Sequence, residues 1–63
     1  GIIPDDLQKE FDKHPDAYKN YQNFSFGYQK SYLYWLNQAK RQETRDKRIA
    51  EIINLCHANQ KSR

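Results

Sequence analysis

The sequence contains one cysteine, no methionine, two glycines and two prolines. A single thiol, Cys56, can close no intramolecular disulfide. Together with His14 and His57 it makes too small and too badly spaced a set for a structural zinc site, so neither metal nor cofactor is expected. So few glycines and prolines argue against a turn-rich β domain. No apolar run approaches the ~20 residues a membrane helix needs. The opening Gly1-Ile2-Ile3-Pro4 lacks the basic start and apolar middle of a signal peptide. These absences point to a reducing, cytoplasmic setting with no membrane contact. Gly1 in place of an initiator methionine suggests the C-terminal part of a longer protein.

What the chain does have is aromatic residues: five tyrosines, three phenylalanines and one tryptophan among 63 residues. A chain of this size buries only ~60% of the surface it exposes when unfolded, so its core is small. Large rings are the efficient way to fill such a core.

Four helices read along the chain. Pro4 suits a first helical position, with Asp5 and Asp6 at the positive end of the helix dipole. Leu7 and Phe11 form its apolar face, and His14-Pro15 ends it. Pro15 opens a second short helix, which buries Ala17, Tyr18 and Tyr21 and leads to Phe24. Ser25 is a fitting N-cap for a third helix. There Tyr28, Tyr32, Trp35, Leu36 and Ala39 recur with the period of one helical face. Trp35, in the middle of that face, is expected to anchor the core. A fourth helix begins near Gln42 or Glu43, with Ile49, Ile52, Ile53 and Cys56 as its stripe. The expected fold is all-α: a small bundle of four helices, two short ones followed by a longer helical hairpin. It forms a single domain over residues 1–58, with a disordered tail at 59–63.

The pattern Ile3-Pro-Asp-Asp-Leu7, the aromatics Tyr21 and Phe24, and then Tyr32-x-x-Trp35-Leu36-x-x-Ala39-Lys40-x-x-Glu43-Thr44-Arg45-x-x-Arg48-Ile49 resemble a known family. They look like the C-terminal helical domain of the YdeI / OmpD-associated proteins, loosely called bacteriocin-protection proteins. The resemblance covers nearly the whole chain and is most specific from Ala39 to Ile49. Gln42 departs from it, since a proline often stands there in that family. The resemblance implies a bacterial, cytosolic protein with an α+β domain upstream of the helical one. It carries over no catalytic residue, and its Glu43-Thr44-Arg45 signature suits a folding role as well as a site.

Charge supplies the other functional signal. Residues 40–48 hold Lys40, Arg41, Arg45, Lys47 and Arg48 against Glu43 and Asp46, an excess of three that equals the net charge of the whole chain. Arg41, Arg45 and Arg48 fall at i, i+4 and i+7 and could line one helix face, which would meet phosphates or an acidic partner. The plainer reading is a solvated face, with Glu43 placed for the helix start and Arg48 within reach of Glu51 or the junction between helices. A helix-turn-helix reading is weakened by Glu43, Asp46 and Glu51, which phosphates would repel. Cys56-His57 is a poor thiol–imidazole dyad, because adjacent helical residues point about 100° apart. Tyr34 falls off the apolar face and, with Phe26, suits a partner surface.

The expectation is a non-catalytic accessory domain, not an enzyme. It would contact an upstream domain of the same polypeptide or a protein partner, using Tyr34, Lys40, Arg41, Arg45 and Arg48 as its candidate interaction surface. The alternative is a small basic module that binds nucleic acid or another polyanion.

Overall fold

In a computed structural model that describes residues 2–59, the four expected helices are present: α1 (Asp5–Lys13), α2 (Pro15–Asn23), α3 (Phe26–Asn37) and α4 (Gln42–His57). Gly1 and residues 60–63 lie outside the described residues, so only Asn59 of the expected tail can be placed; it forms a turn. Pro4 sits one position earlier than expected: it is the N-cap of α1, and its carbonyl accepts from the Gln8 amide at 2.9 Å. Pro15 opens α2 as read from the sequence. Ser25 caps α3, its Oγ accepting from the Tyr28 amide at 3.4 Å.

The core is a line of aromatic rings wrapped by aliphatic side chains. Tyr18 and Tyr21 both pack against Phe11, with ring centroids 5.1 and 4.9 Å from it. Phe24 continues the line to Tyr32, each step 6.4 Å. Leu7, Leu36, Ile49, Ile52, Ile53 and Cys56 close around it. The α4 stripe is buried as its spacing required. α3 differs from expectation: Tyr32, Leu33 and Leu36 face inward, Tyr28 is exposed, and Trp35 is half-buried at the edge. Phe11, Tyr21 and Tyr32 fill the place expected of Trp35. The apolar run Tyr32-Leu-Tyr-Trp-Leu36 is nearly continuous, so its period admits two overlapping faces, and packing selects between them.

α4 is the central element. It touches each of the other three helices and packs most extensively on α2, more than on its hairpin partner α3.

Glycine is the commonest way to close a helix C-terminus, and neither glycine here does so. Side chains from other helices cover the exposed carbonyls instead. Gln29 of α3 donates through Nε2 to Tyr21 O and Phe24 O at 3.0 and 3.1 Å at the end of α2. Asn20 of α2 donates through Nδ2 to Cys56 O at 2.7 Å at the end of α4. Asn59, at φ 58°, adds the left-handed residue that follows α4. The end of α3 is covered by two arginines of α4.

Candidate functional site

Those two arginines belong to the Glu43-Thr44-Arg45-x-x-Arg48 segment. Three residues apart on α4, they share one side of the helix. Arg48 donates from Nη1 to Trp35 O at 2.8 Å, and its guanidinium carbon stands 5.0 Å from the centre of the Trp35 ring. Arg45 reaches further. Its Nε donates to Asp6 Oδ2 at 2.8 Å and its Nη2 to Asp6 Oδ1 at 3.0 Å, a two-pronged pair. Its Nη1 lies 3.4 Å from both Leu36 O and Asn37 Oδ1. One guanidinium therefore ties the start of α1 and the end of α3 to α4. Both cations also sit at the negative pole of α3.

The electrostatics follow from this contact. The Arg45 hydrogen bonds hold the Asp6 carboxyl below its ordinary value, outweighing the opposing effect of partial burial. The same bonds raise Arg45. The expected stripe of Arg41, Arg45 and Arg48 is thus divided. Arg45 and Arg48 are turned into the fold, while Arg41 is the exposed N-cap of α4, next to exposed Lys40. Tyr34 stands apart on the outward side of α3 and is 72% exposed.

Sequence reasoning missed Asp6, which it placed only at the helix dipole. It also missed the meeting of His14 with His57, whose rings are perpendicular with centroids 5.3 Å apart. The His14 ring meets that ring, while its backbone N–H donates to Phe11 O at 3.0 Å. No local pattern announces either pairing, because both partners come from opposite ends of the chain.

One hollow between α1 and α4, lined by Asp6, Lys9, Glu10, Asp46, Ile49 and Ala50, is open to solvent. Each carboxylate on it already has a partner: Arg45 for Asp6, Lys13 for Glu10 and Gln42 for Asp46. Cys56 is fully buried, and burial pushes its thiol up to about 11, the opposite of an activated nucleophile. Among the described residues no group of three or more His, Cys, Asp and Glu side chains gathers to hold a metal ion. Likewise, no helix among them is long and apolar enough to cross a membrane.

No curated protein and no solved structure matches this chain. A family model does, over residues 1–59: the family described as OmdA, bacteriocin-protection, YdeI or OmpD-associated. The four-helix fold and the Arg45–Arg48 clamp lie within that match, and the chain belongs to the YdeI / OmpD-associated, bacteriocin-protection family.

Proposed function

We propose that this chain is a non-catalytic accessory module that docks onto another folded protein surface, on the same polypeptide or a separate one, through the outward side of α3. The supporting observation is that α3 keeps large rings exposed beside its buried face. Tyr32, Leu33 and Leu36 are buried, while Phe26 and Tyr34 are 60% and 72% exposed. Large exposed rings grouped on one helix mark a contact surface. Lys30 lies between them, its ammonium 5.2 Å from the centre of the Phe26 ring.

The chemistry of the partner follows from charge. No Asp or Glu occurs between Ala17 and Gln42, a segment that contains exposed Lys19, Lys30, Lys40 and Arg41. The fitting surface has an apolar centre and a rim of carboxylates. Nucleic acid is the competing occupant, since rings and cations also suit bases and phosphates. It is disfavoured because Arg45 and Arg48, two of the five cations of the basic segment, are engaged inside the fold. The lone buried thiol suits work in a reducing cytosol.

The test is photo-cross-linking in cells that express the protein from its own gene, with a photoreactive phenylalanine at Phe26 or Tyr34 and a control at Lys47 on α4. The expected result is a defined protein adduct from α3 positions and none from Lys47, with the adduct mapping to an acid-rimmed surface and lost on Lys30→Glu. Cross-links to RNA, or equal adducts from Lys47, would overturn the reading in favour of a polyanion or of no specific surface.

A further inference from the structure

We propose that His14 and His57 form a two-histidine site for a borderline divalent cation of the Zn2+ or Ni2+ class. His14 Nδ1 and His57 Nε2 are 3.4 Å apart. Two imidazole nitrogens bound to one tetrahedral zinc at ~2.0–2.1 Å stand about 3.3–3.4 Å from each other. The pair, in hydrogen-bond contact without the ion, thus already has the nitrogen separation of a chelate; an ion binds it in the tautomers that leave both facing nitrogens unprotonated, with the rings turned toward the ion.

The surroundings suit the ion. A hollow of about 160 Å³ lies over the pair, lined by Glu10, His14, Ala50, Ile53, Asn54 and His57. Glu10 precedes His14 by four residues, and Asn54 precedes His57 by three, so each imidazole has an oxygen-bearing side chain in the same hollow. The Glu10 carboxylate pairs with Lys13 at 3.1 Å on the surface, so it adds negative charge near the hollow without joining the two imidazoles as a ligand. Water fills the remaining positions. Imidazole donors favour zinc, nickel and copper over magnesium and calcium.

The site joins elements that are distant in sequence. His14 is the hinge between α1 and α2, and His57 is the last residue of α4. An ion bound there fastens the hinge to the end of the central helix, and it binds the folded chain in a geometry the unfolded chain lacks.

Thermal unfolding of the 63-residue chain with Zn2+, Ni2+ or Mg2+ is the test, read beside the visible absorption of a Co2+ complex. The midpoint is expected to rise by roughly 5 °C or more with saturating Zn2+ or Ni2+ and not with Mg2+. His14→Gln and His57→Gln should each abolish both the rise and the Co2+ band while keeping a cooperative metal-free transition. Glu10→Gln should reduce the rise without abolishing it. No shift in the parent chain, or a shift that survives either histidine substitution, would overturn the proposal.

Discussion

Arg45 and Asp6 meet across thirty-nine positions of sequence, joined by two hydrogen bonds of 2.8 and 3.0 Å with both side chains less than a third exposed. The pair fixes the start of the first helix onto the last. Arg45→Ala is expected to cost about 1–3 kcal/mol, since a charge-assisted bidentate pair is lost and the α3 carbonyl loses a donor. Arg45→Lys should recover only part of this, because an ammonium does not reproduce the planar fork. Denaturant unfolding of the two variants checks the order.

The same pair predicts an acid limb. Asp6 has a carboxyl held below its ordinary 3.8 in the folded chain. Its contribution is fully present above the unfolded carboxylate value. It is lost as pH falls from there through the lower folded value. Asp6→Asn should therefore lower the melting midpoint at pH 7 and lessen its fall between pH 4 and pH 2. A parallel fall in both proteins would show that Asp6 is not a source of the acid limb.

Arg48 lies over Trp35, the single tryptophan of the chain, so its removal can be read spectroscopically. Arg48→Met keeps much of the stem and loses the bond to Trp35 O. The expected cost is on the order of 1–2 kcal/mol, with a changed tryptophan emission. Unaltered emission and melting would mean that the contact contributes nothing in solution.

Phe11→Ala should be far more damaging than Trp35→Ala. Phe11 is fully buried against Tyr18 and Tyr21, whereas Trp35 is at the edge. Loss of a buried aromatic costs ~3–5 kcal/mol, comparable to the whole stability of a small domain. Circular dichroism melts should show Phe11→Ala without a cooperative transition at 37 °C and Trp35→Ala with one.

Cys56 should resist alkylation while the chain is folded. Its thiol is buried and raised to about 11, so at pH 8 the thiolate is scarce and inaccessible. Iodoacetamide labelling is expected to follow global unfolding and to accelerate sharply near the denaturant midpoint. Rapid labelling of the native chain would contradict the packing of the α4 stripe.

How much of this was legible in the sequence depends on how local each signal is. Ile49, Ile52, Ile53 and Cys56 are interrupted by Arg48, Glu51, Asn54 and His57, so one period fits them and the buried face of α4 could be read directly. Pro15 and Ser25 are punctuation with a local mechanism, and both mark the boundaries observed. α3 is ambiguous because apolar residues nearly fill its second half. Leu33 could not be chosen over Tyr28 without knowing what packs there. The two arginines were visible as charge and as a family signature, but their partners were not. Trp35 O and Leu36 O are main-chain groups, and Asp6 is related to Arg45 by no period. A basic run and a structural clamp look the same until the fold brings its carbonyls into reach.

The central position of α4 has a consequence for the order of events during synthesis. The ribosome releases α1, α2 and α3 first, yet the helix that contacts all three is made last, at Gln42–His57. Until it emerges, the rings of Phe11, Tyr21 and Tyr32 lack the cover of Ile49, Ile52 and Ile53, and the carbonyls at the end of α3 lack their arginines. Until then α1, α2 and α3 form at most a loose aromatic cluster, which folds when the fourth helix arrives. A stall or truncation before Ile49 would therefore leave an adhesive, protease-sensitive fragment rather than a partly stable domain.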